Sequence, residues 1–190
     1  MPPEAPLPFA APTDWRAWLD AHHASESEVT LKLYRMASGT ASITWEEAVI
    51  EALAFGWIDG VKRSGGPDHW LQRFTPRKPR SGWSQKNCTH VDRLIAEGRM
   101  TPAGLKQVEA AKADGRWDAA YSGGKNAEIP QDFLDAVAQV AKAAETFATL
   151  NAQNRYAIYY RLATAKRPET RAKRVADFVA MLARGERFYP

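Results

Sequence analysis

The sequence predicts an α+β protein: a small antiparallel sheet of about three strands with packed helices, followed by a C-terminal three-helix region. Three observations carry this. Val29, Leu31 and Leu33 alternate with polar residues, the period of a half-buried strand. Two further short apolar runs flank the turn Ser64-Gly65-Gly66-Pro67-Asp68. Beyond Pro130, apolar residues recur at three- and four-residue spacing. A chain of 190 residues with 45% hydrophobic residues and seven tryptophans can bury such a core without cross-links.

In chain order, residues 1–12 hold five prolines and read as a disordered arm. They have neither the basic start nor the apolar stretch of a signal peptide. Thr13-Asp14 precedes Trp15, Trp18 and Leu19, the pattern of a short amphipathic helix. Strand Val29–Tyr34 comes next, then a polar loop. Thr44-Trp45-Glu46-Glu47 is a capping box that opens a helix, and Gly56 stops it. Residues 57–63 and 69–75 form a hairpin, with Asp59-Gly60 as a second turn or bulge.

Pro76 and Pro79 force an irregular exposed loop, after which Ser81 or Ser84 caps a helix ending at Gly98. Thr101-Pro102 opens the next. The expected domain therefore spans residues 13–121, and Ser122 to Asn126 reads as a linker. In the helical subdomain expected over 127–190, packed on the first, Phe133, Val137, Val140, Ala144 and Phe147 predict one helix. Two more are expected over about 153–163 and from Pro168 to Gly185.

Charge is unevenly distributed. No Asp or Glu lies between His69 and Val91, whereas Arg73, Arg77, Lys78, Arg80 and Lys86 all do; the whole chain carries +4. Arginine forks suit phosphate or carboxylate, and a helix starting near Ser84 directs free N–H groups toward the same anion. Trp70, Phe74 and Trp83 offer stacking surfaces, although Trp70 and Phe74 also suit the core of their strand. The candidate ligand-binding set is therefore Arg73, Arg77, Lys78, Arg80, Trp83, Ser84 and Lys86. Asp59 joins it as the one carboxylate set among arginines, with turn capping as its alternative role. A second basic block, Lys166 to Arg174, sets Arg167, Arg171 and Arg174 on one helical face; solvation beside acids of neighbouring helices is the expected reading.

Motifs for enzymatic chemistry are missing. His22 and His23 are adjacent, and Cys88 and His90 are two apart, spacings that do not converge on a metal. There is no glycine-rich phosphate motif. No metal or cofactor is expected, and whether the chain is an enzyme stays open. The single cysteine excludes an intramolecular disulfide and fits the cytoplasm, and no run is long enough for membrane insertion.

The segments ITWEEAVIEALAFGWIDGVKRS, QRFTPRKPRSGWSQKN, RLIAEGRMTPAGL, AAKADGRWDAAY and AKRPETRAKRVADFVAMLARGE resemble the bacterial YdeI/OmpD-associated, bacteriocin-protection family, in order from Trp15 to Glu186. The resemblance implies a small bacterial protein linked to stress or antimicrobial-peptide tolerance, and brings no catalytic residues with it. Three readings are open: a non-catalytic binder of a nucleotide, nucleic acid or phosphorylated molecule; an enzyme or resistance factor acting on a small molecule in a cleft lined by Trp and Arg; or a protein-interaction module.

Overall fold

The computed structural model describes residues 5–123, 128–165 and 167–190. Its contacts divide the chain into two compact units, residues 1–120 and 121–190.

In the first unit a four-stranded sheet forms from β1 (Leu7–Pro8), β2 (Val29–Tyr34), β3 (Trp57–Ser64) and β4 (His69–Pro76), in the order β1-β2-β4-β3. The antiparallel β3–β4 pairing is the expected hairpin, and β2 joins the sheet antiparallel to β4. The additional strand corrects the reading of residues 1–12 as an arm: Leu7 and Pro8 pair in parallel with Leu31 and Lys32. The Ile43 N–H donates to the Phe9 carbonyl at 3.0 Å, and Phe9 packs against Trp15. Prolines are admissible because β1 is an edge strand with a free N–H side. Residues 1–4 lie outside the described residues.

Four helices accompany the sheet: α1 (Pro12–His22), α2 (Trp45–Ala54), α3 (Gln85–Ala96) and α4 (Pro102–Ala113). Helix α1 starts one residue before the expected cap. Ala11 takes the cap position, Pro12 the first turn, and the Asp14 carboxylate accepts the Ala11 N–H. At α2 the Thr44–Glu47 capping box is present in both directions, at 2.8 and 3.2 Å. Trp15, Leu19, Leu31, Leu33, Ala48, Ala52, Trp57, Phe74, Val91 and Leu94 form the shared core. Glu51 is buried in it, held by Arg16 at 2.8 Å and by Arg99.

The crossing of α2 and α4 determines where β3 begins. Thr101 donates both its N–H (3.0 Å) and its hydroxyl (2.8 Å) to the carbonyl of Ala54, the last residue of α2. Gly104 lies so close that a Cβ there would sit 2.2 Å from that same oxygen. Gly56 then turns the chain with φ +75° into β3, and its own carbonyl accepts the Arg77 N–H at 2.9 Å.

The second unit contains α5 (Gln131–Ala138), α6 (Ala141–Ala148), α7 (Ala152–Ala163) and α8 (Pro168–Ala183) around Phe133, Val137, Ile158, Leu162, Phe178 and Leu182. The single helix expected across 133–147 is two. Val140 is extended (φ −126°) and starts α6, with neither Gly nor Pro to mark the break. Periodicity continues through it because Val140, Ala144 and Phe147 still face the same core. The expected linker falls partly on residues 124–127, outside the described residues, as does Lys166 of the second basic block.

Two arginines of that block are structural. On α8, Arg171 donates to the Leu162 carbonyl at 3.1 Å and pairs with Asp132 at 2.7 Å; Arg174 donates to the Arg161 carbonyl. The two arginines thus bind carbonyls in the last turn of α7, where the Leu162 oxygen also accepts the Ala165 N–H at 3.2 Å, and place positive charge at the negative end of that helix.

Candidate functional site

The β3–β4 ladder shifts register between Asp59 and Lys62, a bulge at the position the Asp59-Gly60 pair suggested. Gln72, buried on β4, donates its side-chain amide to the Gly60 carbonyl at 2.9 Å and so pins the bulge. The irregularity opens a pocket of about 330 Å³ beside the start of α2, lined by Trp45, Asp59, Gly60, Lys62, Trp70 and Gln72.

Each wall has an identifiable cause. Trp45 is the first residue of α2, placed by the capping box; it remains 39% exposed and donates its indole N–H to Asp59 Oδ2 at 3.2 Å. Trp70 is half-buried on β4, and the Lys62 ammonium sits 4.8 Å from its ring centroid. The Trp70 indole N–H is buried and has no hydrogen-bond partner among the described residues. Burial pushes the Asp59 carboxyl up from its ordinary range, only partly offset by the Trp45 N–H and the Arg77 charge.

The basic tract does not converge on this pocket. Arg73 lies on the other side of the β4 pleat, where Glu28 pairs with it (Nε to Oε2, 3.0 Å). Arg77 is buried: its guanidinium stacks 3.5 Å above Trp83 and donates to the Gly82 carbonyl at 3.0 Å. Trp83 is buried against Trp117, which leaves no stacking face for a ligand. Arg116 donates to the Ser81 carbonyl at 2.9 Å, so two buried arginines wire the loop from inside. Ser84 caps α3 by accepting the Asn87 N–H at 3.2 Å. Lys86 pairs with Glu46 at 2.9 Å. Lys78 and Arg80 are exposed and show no ion pair among the described residues.

Of the candidate ligand-binding set drawn from the sequence, then, Asp59 alone lines this pocket, while Arg73 lines a second cavity of about 460 Å³ together with Glu28, Arg63 and Leu71. Trp45, Lys62 and Gln72 were missed, and Trp70, a candidate stacking surface, was assigned to the core of its strand. Trp45 was absorbed by its helix and Trp70 by its strand; the available signal was two tryptophans flanking a predicted bulge. Among the described residues no group of three or more His, Cys, Asp or Glu is arranged to hold a metal ion, and no helix is long and apolar enough to cross a membrane.

Residues 7–107 match the family model described as a domain of unknown function (DUF8412), which is more than half of the 190 residues. The chain belongs to this family. The pocket and all of its lining residues fall inside the DUF8412 match. Residues 126–185 match a second model, bacteriocin-protection, YdeI or OmpD-associated. The resemblance to that second family is therefore supported in the helical unit, while the similar segments before residue 107 fall in the DUF8412 region. No curated protein and no solved structure matches the chain.

Proposed function

We propose that the protein is a non-catalytic binder of a small anionic ligand that carries a flat ring, seated between Trp45 and Trp70 at the β3 bulge. The observation that carries this reading is the pocket itself: two indoles, one ammonium and one carboxylate whose charge is disfavoured, around a space at the lower end of ordinary ligand sites. The indoles supply stacking area, and Lys62 supplies the positive charge. Arg77, buried behind Asp59, adds to the local positive potential without reaching the ligand.

Nucleic acid is the less favoured ligand, since Arg73, Arg77 and Lys86 are engaged within the protein and leave Lys78 and Arg80 as the open cations of the tract. We place the protein in the cytoplasm, in keeping with its single cysteine. A ligand-binding unit joined to a segment of the bacteriocin-protection family suits a part in tolerance to antimicrobial peptides.

The test is a titration with benzoate, nicotinate, AMP and a short oligonucleotide, read by tryptophan fluorescence and saturation-transfer NMR. Stacking on an aromatic side chain contributes about 1–3 kcal/mol. Trp45→Ala and Trp70→Ala should therefore each weaken the binding of benzoate, nicotinate or AMP by about five- to 150-fold, whereas Lys78→Ala with Arg80→Ala should leave it intact. Failure of all three to bind, or binding indifferent to both tryptophan substitutions, would reject the pocket; oligonucleotide binding lost with Lys78 and Arg80 would favour nucleic acid instead.

A further inference from the structure

We propose that the pocket takes up one proton with each ring-bearing carboxylate it binds, the proton being shared between the ligand carboxylate and Asp59, so that capture tightens as pH falls. This rests on the pocket reading above and adds to it the ligand class and its regulation.

Lys62 is the cationic side chain among the six lining residues, and Asp59 is the acidic one. A pocket of about 330 Å³ holds one ring-sized molecule, so a ligand anion drawn to Lys62 is also brought beside Asp59. Two carboxylates sharing a site do not both stay ionised; the pair keeps a proton and forms a strong O–H···O⁻ bond. One oxygen of Asp59 already accepts the Trp45 indole N–H, which orients the carboxyl and fixes it against the pocket wall. Burial has meanwhile made the Asp59 charge costly even before a ligand arrives.

The surroundings support this assignment. Lys62, also on β3, lines the same pocket, and from the segment after β4 the charge of Arg77 acts on the Asp59 carboxyl. Beyond Trp45, Glu46 of α2 bridges Lys86 at 2.9 Å and His90 at 3.4 Å, both on α3. His90 is the imidazole held at that bridge, and burial lowers its pKa, so it serves as a control. The balance is simple: ligand carboxylate plus Asp59 carboxylate plus one proton from solvent give the bound, singly protonated pair, and no bond between heavy atoms changes.

The experiment is calorimetry of benzoate and nicotinate in cationic buffers of different ionisation enthalpy, repeated from pH 5 to 8. The wild-type protein should take up close to one proton per ligand in the upper part of this range. Affinity should then rise by up to tenfold for each unit fall in pH. Asp59→Asn, nearly isosteric and able to donate an N–H to the ligand, should bind with an affinity independent of pH, and His90→Gln should keep the wild-type slope. If neither acid binds the wild type, the carboxylate assignment fails, and the pocket reading fails with it only where AMP does not bind either. If they bind without proton uptake, or the uptake persists in Asp59→Asn or disappears in His90→Gln, the pocket stands and the shared proton is wrong.

Discussion

Gly104→Ala sets two opposed effects against each other. In an unobstructed helix the change stabilises by about 1 kcal/mol, because alanine loses less backbone entropy. Here the new Cβ would sit 2.2 Å from the Ala54 oxygen, where ordinary contact begins at 3.4 Å, an overlap of 3.4 − 2.2 = 1.2 Å. The obstacle is backbone and cannot rotate away, so α4 must retreat from α2. The retreat stretches the two Thr101 hydrogen bonds to that oxygen, now 3.0 and 2.8 Å, each contributing about 1 kcal/mol. It also disturbs the buried contacts of Val108 and Ala111, for which overpacking costs about 1–3 kcal/mol. The loss of about 3–5 kcal/mol outweighs the gain, leaving a net destabilisation of about 2–4 kcal/mol. All seven tryptophans lie at or before residue 117, so tryptophan fluorescence during urea unfolding reports on the first unit alone. Ala110→Gly on the exposed face of α4 calibrates the propensity effect at about 1 kcal/mol. A Gly104→Ala protein as stable as the wild type would refute the close-approach argument.

Two further perturbations test the inner wiring. Arg77→Ala removes a desolvated cation–π contact and a charged hydrogen bond; about 3 kcal/mol of stability should be lost in the same urea assay. Arg77→Lys should recover little, since an ammonium cannot stack as a planar guanidinium does, and full recovery would contradict this. Loss of the Arg77 charge should also push the Asp59 carboxyl further up, visible by NMR titration. The Cys88 thiol is pushed up to about 11, first by burial and then by the charge of Asp92. At pH 8 it should react with a disulfide reagent roughly a hundredfold more slowly than in urea-unfolded protein. Because the folded state resists ionisation, this thiol's contribution should be lost as pH rises from 9 through about 11; rapid native-state labelling at pH 8 would overturn the assignment.

The fold was legible wherever local chemistry and tertiary demand agree. Thr44 with Glu47, Thr101 with Pro102, and the alternation of Val29, Leu31 and Leu33 each state one outcome, and the structure obeys them. Legibility failed at Leu7–Pro8, a strand whose pairing is supplied by Leu31 and Lys32 and not by its own composition. It failed again at Val140, where a break leaves the apolar stripe uninterrupted. In the candidate site, charge density was a poor guide. Arg73 and Lys86 are neutralised by Glu28 and Glu46, acids remote in sequence, and Arg77 turns inward onto Trp83. Asp59 was readable because a bulge can be inferred from its own neighbours; Lys62, Trp70 and Gln72 join it only through the ladder register.

The bulge between Asp59 and Lys62 has a second effect, on how the molecule behaves in a crowd. β3 is an outer strand of the sheet, eight residues long, with an outward row of peptide groups that a second chain could extend. The register shift spoils that row midway, and the exposed cations Lys62 and Arg63 come directly after it, so an incoming strand meets both a bend and charges it would have to bury. The irregularity that sets Asp59 into its pocket therefore also makes this edge a poor template for pairing with a second copy.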